Sequence, residues 1–338
     1  MKRFATILLL LSLSILAAPV SRAQEEQQTR PRRAEQTTRV QPASSPSSAN
    51  EPEEVDEGDV VRVNTTLVTV PVNVTDRNGR FVQNLRQQEF RIYEDGVEQQ
   101  ISYFASVDQP FTVALLMDTS LSVRFSLEEI QDAAIAFLDQ LRPNDQVMIV
   151  AFSGRFEVLA EPTRDRALLR DVIRSLHSSR GTRLYKTIDF VVNQRLNLIP
   201  GRKAIVLFTD GVEGGAINRR GYEQSIRAAE ASGVLVYPVQ YETSMPTRNI
   251  KQAEMKQVAD DYLREIAEKT GARLFHADTP QNLARAFALV AEELRHQYSL
   301  GYYPKRAAST GQRRQIKVRV NRPDLVVQAR DSYISNNP

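Results

Sequence analysis

From residue 110 to residue 296, short apolar runs alternate with amphipathic stretches. No other feature limits the folds open to this chain so strongly. "TVALLMD", "QVMIVAFS", "KAIVLFTD", "VLVYPVQY" and "ARLFHA" are aliphatic runs of strand length. Between them, apolar residues recur at helical spacing over 126–141, near 165–177, near 184–196, roughly 221–232, 255–270 and 280–296. Strands separated by helices run parallel, with the helices packed on both faces of one sheet. One pair departs from this. "VMIVAFSGRFEVLAE" turns tightly at Ser153-Gly154-Arg155, which predicts an antiparallel edge strand. The expected fold class is α/β: a doubly wound, mostly parallel, Rossmann-like sheet. Ser126, with Glu129 three residues on, has the spacing of a capping box. No internal repeat is visible.

The flanks are a different material. Residues 59–108 are rich in Val and Thr, alternate, and carry the turn signals Asn78-Gly79 and Asp95-Gly96. Residues 298–335 hold further short alternating runs, "YSLGYYP", "RQIKVRV" and "LVVQARDSYI". A few strands alone make a marginal core. The two flanks are therefore expected to close into one small β-sandwich-like domain, with residues 109–297 inserted between them. Residues 24–58 are polar and rich in Pro, Ser and Gln, too poor in aliphatics to offset chain entropy, and read as a disordered linker. Residues 1–23 have a basic start (Lys2, Arg3), an apolar core from Phe4 to Ala18, and small residues at Ser21 and Ala23. That is the pattern of a secretory signal peptide cleaved after Ala23. The core is shorter than the ~20 residues a spanning helix needs, and no later stretch qualifies. Export to the periplasm or the cell exterior is the expectation, with no transmembrane segment left after cleavage.

Composition narrows the chemistry. A net charge of +3 on 338 residues argues against a dedicated nucleic-acid binder. The chain has no Cys, hence no disulfide, thiol nucleophile or Cys-based metal site. His177, His276 and His296 lie in unrelated segments without zinc-motif spacing and read as structural or surface residues.

In open α/β sheets, ligands bind beyond the carboxyl ends of the strands. Two strands here end in acid, at Asp118 and Asp210. After the first comes "DTSLS", with Asp118, Ser120 and Ser122 at alternate positions. In an extended segment these share one side. In "SRGTRLYKTI", Gly181 permits a tight approach, and Thr182 precedes the next helix. Two carboxylates and three hydroxyls form a hard oxygen set suited to Mg²⁺, or to Mn²⁺ or Ca²⁺, and not to zinc. Two carboxylates at most neutralise such an ion. It would then take an anionic oxygen from outside, typically a partner protein's Asp or Glu.

"DTSLS", "RGTRLY" and "FTDG" resemble, in that order, the D-x-S-x-S, Thr and Asp elements of the metal-ion-dependent adhesion site of von Willebrand factor A domains. The resemblance covers about 110–296. The flanking "VPVNVTDRNGRFV", "FRIYEDG" and "YSLGYYP" resemble a secreted bacterial branch of von Willebrand factor A-related proteins. The resemblance implies a doubly wound fold with one antiparallel edge strand, a divalent cation, and protein–protein binding through it. It makes Ser120 and Ser122 direct ligands and Thr182 a direct or state-dependent one. Asp118 and Asp210 would bind directly or through water. The family often has Gly-Gly before the Thr, and here Arg180-Gly181 stands instead.

Arg124, Arg155, Arg180, Arg183, Arg219 and Arg220 fall on loops near that edge and form a candidate basic rim for an acidic partner. Glu213 follows the "TDG" turn, where a carboxylate could modulate the site, and reads as plain surface; the polar stretch 242–257 is a candidate for the partner surface and reads as a flexible loop. The function expected is an exported, non-enzymatic adhesion module that captures a partner acid through its cation. The alternative is an assembly or scaffold factor within a larger complex. A metal-dependent hydrolase is disfavoured: there is no G-x-S-x-G, no P-loop, and no His or Cys placed as a base.

Overall fold

The computed structural model describes residues 67–105, 109–121, 127–215, 217–241, 250–306 and 309–335. The segments read as signal peptide and linker lie outside the described residues, as do Ser122, Arg124 and Ser126, the residue expected to cap the first helix.

The first four strands are β1 (Val68–Asp76), β2 (Phe90–Glu94), β3 (Val97–Gln99) and β4 (Ile101–Ala105). The alternating middle follows as β5 (Phe111–Asp118), α1 (Leu127–Gln140), β6 (Gln146–Phe152), β7 (Phe156–Thr163), α2 (Arg166–Arg174), α3 (Leu184–Gln194) and β8 (Arg202–Thr209). It continues through α4 (Arg219–Ser232), β9 (Leu235–Tyr241), α5 (Ile250–Thr270), β10 (Phe275–Ala277) and α6 (Pro280–Arg295). The chain closes with β11 (Tyr298–Tyr302), β12 (Arg313–Val320), β13 (Leu325–Ala329) and β14 (Ser332–Ile334).

Six strands form the central sheet in the order β10-β9-β8-β5-β6-β7, all parallel except the edge pair β6–β7. Every residue of β5 and of β9 is buried, as a parallel strand covered on both faces requires. On one face α1, α2 and α6 pack over Val113, Leu115, Val206 and Phe208. On the other, α3, α4 and α5 pack over Ala114, Leu116, Ile205 and Leu207. Asp165 caps α2, accepting the Ala167 and Leu168 N–H groups at 3.0 Å, and Asn218 caps α4 through Gly221 N–H at 3.0 Å.

One expectation fails here. Residues 250–257, read as loop, are the first turns of α5. "IKQAEMKQ" contains no Gly or Pro and is built largely of good helix formers, so its polarity marks an exposed helical face and not a break.

The flanks make two four-stranded sheets, β13-β1-β11-β4 and β14-β12-β2-β3. Their shared core includes Val70, Val72, Phe90, Ile92, Tyr298 and Leu300. Strands from before and after the central sheet are interleaved, since β1 pairs with β11 and β13, and β2 pairs with β12. The chain leaves the sandwich at Ala105 and returns at Ser299, and these two residues are register partners across β4 and β11. Buried charge pins the sandwich to α4. The Glu230 carboxylate accepts from Arg313 at 2.9 Å and from Ser332 at 3.1 Å. Arg330 donates to the Glu230 carbonyl at 2.9 Å and to the Thr69 carbonyl at 2.6 Å.

Candidate metal centre

The site is built on the ends of two neighbouring strands. β5 and β8 pair so that Met117 lies beside Phe208, which brings Asp118 level with Thr209 and one residue from Asp210. Asp118 is fully buried. Its Oδ1 accepts the Ser120 N–H at 2.9 Å, and its Oδ2 accepts the Thr209 hydroxyl at 2.7 Å. Thr209 Oγ1 in turn accepts the Gly211 N–H at 3.0 Å, and Asp210 Oδ1 accepts the Val212 N–H at 2.9 Å. These bonds turn both strand ends back on themselves and hold the two carboxylates in one enclosure.

The electrostatics follow. Burial first, and the charge of Asp210 second, push the Asp118 carboxyl from 3.8 up to about 7, against the hydrogen bonds from Ser120 and Thr209. The buried Tyr241, at the end of β9, belongs to the same enclosure. Burial raises its phenol well above the ordinary value, with Asp118 and Asp210 adding to the effect, against hydrogen bonds with the Ser120 side chain and the Asp210 backbone.

Thr182 is brought in by a loop stitched on both sides. Ser179 N–H donates to the Thr119 carbonyl at 2.9 Å, Gly154 N–H to the Arg180 carbonyl at 2.9 Å, and Gly214 N–H to the Thr182 carbonyl at 2.9 Å. Two of these contacts need glycine. A Cβ at 154 would stand 2.5 Å from the Arg180 oxygen, and one at 214 would stand 2.8 Å from the Thr182 oxygen. Ser120, Thr182 and Asp210 then line one cavity of about 690 Å³, which Leu121, Tyr241 and Met255 extend.

The structure thus brings Asp118, Ser120, Thr182 and Asp210 to one place, while Ser122 lies outside the described residues. Arg155, Arg180, Arg183, Arg219 and Arg220 are all exposed, and of these five Arg180 lines the cavity. Among the described residues no group of three or more His, Cys, Asp or Glu is disposed to hold a metal. A cation at this edge would rest on two carboxylates completed by hydroxyls, a donor set that fits a hard divalent ion.

Two residues of the site stand differently from what the sequence suggests. Tyr241 looked like the last apolar residue of a strand. Glu213, taken as plain surface, is half-buried, and its carboxylate accepts the Tyr185 N–H at 3.2 Å. A signal for Glu213 existed. α3 starts after Arg183, which makes no side-chain cap bond, so its first N–H groups need an acceptor from elsewhere.

Residues 113–213 match the family model of the von Willebrand factor type A domain. A UPF0353 protein of Mycolicibacterium gilvum is 28% identical over 203 residues, a match covering 54% of this chain and 60% of that protein. A second UPF0353 protein, from Mycolicibacterium paratuberculosis, is 24% identical over 200 residues with the same coverage. The chain spans about 60% of the length of these curated relatives. Among solved structures, a von Willebrand factor type A protein from Catenulispora acidiphila aligns over 81% of this chain and 75% of its own, at 11% identity and a TM-score of 0.47. Proximal thread matrix protein 1 from the mussel byssus, with a zinc-occupied MIDAS motif, aligns over 60% of this chain and 50% of its own, at 14% identity and a TM-score of 0.47. Strand order, the acid-ended strand pair and the match over residues 113–213 agree: the α/β unit of this chain has the fold of a von Willebrand factor type A domain.

Proposed function

We propose that the edge formed by Asp118, Ser120, Thr182 and Asp210, with Ser122 as the next oxygen in the motif, holds a divalent cation, Mg²⁺ or the similar Mn²⁺ or Ca²⁺. Through it the chain binds an Asp or Glu of a partner protein. The observation that carries the reading is the enclosure of Asp118 beside Asp210, with hydroxyl and amide donors as its hydrogen-bond partners. Two acids that repel each other in a buried enclosure are stabilised by a cation from outside. A cation held by two carboxylates and neutral hydroxyls keeps an affinity for one further anionic oxygen. The chain's own part is to orient the carboxylates and hydroxyls and to present the opening of the cavity to the partner.

The reading is of a binding module, in which Ser120, its N–H held by Asp118, serves as an oxygen ligand of the cation. Among the described residues no helix is long and apolar enough to cross a membrane. The proposed setting is outside the cytoplasm, on the strength of the amino-terminal pattern.

Thermal unfolding with Mg²⁺ or Mn²⁺ and with EDTA tests the reading. Wild type should gain stability with cation, and Asp118→Ala should not. Equal unfolding of wild type in both conditions would sink it. Capture of partner from an extracellular extract should be lost in EDTA and in Ser120→Ala.

A further inference from the structure

Glu213 sits outside the cation-facing oxygens, yet it joins the two loops that carry Thr182 and Asp210. The amino-terminal N–H groups of a helix lack partners within the helix. For α3 the local cap is absent, and Glu213, 28 residues on from Tyr185, supplies the acceptor at 3.2 Å. Burial raises the pKa of this carboxyl, against the Tyr185 and Leu184 N–H groups and the charges of Arg183 and Lys186. A negative charge is favoured at this end of a helix. The next residue, Gly214, donates its N–H to the Thr182 carbonyl at 2.9 Å, in a contact too close for any side chain at 214. Residues 213 and 214 therefore grip the chain on both sides of Arg183, at the carbonyl of Thr182 before it and at the first helical amides after it. The same two residues follow Asp210 by three and four positions. Of these contacts, the one made by a side chain is that of Glu213.

We propose that Glu213 is a positioning residue of the cation site. It is a strut that sets the placement of Thr182 relative to Asp210, and through that placement the affinity for the cation. This rests on the cation reading above. A carboxylate that merely capped α3 would stabilise the fold equally with and without cation. A strut also changes the gain that the cation brings. Residues that orient a ligand without touching the metal commonly change metal affinity by about 10- to 100-fold.

The test uses the full chain with Glu213→Ala and Glu213→Gln, the second retaining an acceptor oxygen and the side-chain size. Two quantities are read: amide hydrogen exchange without added cation, and Mn²⁺ affinity by calorimetric titration. In Glu213→Ala, exchange at Gly214 and Tyr185 should quicken roughly tenfold, as loss of a cap implies. Amides of β5 and α5 should keep the wild-type rate. The Kd for Mn²⁺ should rise about tenfold or more, and Glu213→Gln should recover most of both changes. The proposal is overturned if Glu213→Ala loses stability without cation but binds Mn²⁺ like wild type, because Glu213 is then a helix cap alone. It is equally overturned if Gly214 exchange is unchanged. Failure of wild type to bind Mn²⁺ would count against the cation reading, and the Gly214 measurement would still decide whether Glu213 holds Thr182. Should Glu213→Ala not fold, Glu213→Gln carries the comparison.

Discussion

Among the described residues two settings of buried acid contrast, apart from Asp145, which accepts the Phe111 and Arg142 N–H groups. Glu94, Glu230 and Glu293 lie in the sandwich and in the helices α4 and α6, and each meets an arginine: Arg314, Arg313 and Arg273. Asp118, at the edge of the central sheet, instead faces another acid, Asp210. The first group carries its own counter-charge and serves the fold. In the second, the hydrogen bonds from Ser120 and Thr209 orient the charge without neutralising it. A buried carboxylate so placed is a cost to the fold, and the cation proposed above would supply its missing counter-charge.

The comparison breaks most readily on its structural side. Arg314→Ala leaves Glu94 buried without its 2.6 Å partner. Urea unfolding should show a loss of about 3–5 kcal/mol. A loss under about 1 kcal/mol, the range of an exposed pair, would erase the distinction. On the other side, Asp118→Asn removes the charge that faces Asp210 and keeps the shape. Without cation its stability should match wild type to within about 1 kcal/mol. At a hundredfold excess of Mg²⁺ over Kd, wild type should gain about 2.7 kcal/mol and the variant nothing.

Protons sharpen the contrast further. The Asp118 carboxyl is raised from 3.8 to about 7, so across that window the folded chain holds more protons than the unfolded one. Stability without cation should therefore fall as the pH rises from about 4 to about 7. A cation competes with that proton. Its Kd, followed by titration, should weaken about tenfold for each pH unit below 7 and level off above it. The smallest effect is expected from Thr209→Val, which deletes the 2.7 Å bond to Asp118. At pH 8, thermal unfolding should show a loss of about 1 kcal/mol.

Much of the edge was legible because its cues are local. Asp118 and Asp210 each end an apolar run, and Thr182 precedes a helix behind a glycine, so the alternation of strands and helices was enough to bring them to one side. What stayed hidden depends on contacts between distant segments. Glu213 reads as surface until the missing cap of α3 is noticed, and its partner lies 28 residues away. Tyr241 looks like any buried strand residue, and only the pairing of β8 with β9 brings its hydroxyl to Ser120. The start of α5 at Ile250 was missed for another reason: a polar helical face and a polar loop have the same composition, and the apolar stripe of α5 begins further along.

The route of the chain between sandwich and inserted domain has a mechanical consequence. Ala105 and Ser299, where the domain departs and returns, face each other across hydrogen-bonded strands. Tension applied between β1 and β14 falls first on the strand pairs of the sandwich, and it reaches the inserted domain through the contacts of Ser332 and Arg330 with Glu230 of α4.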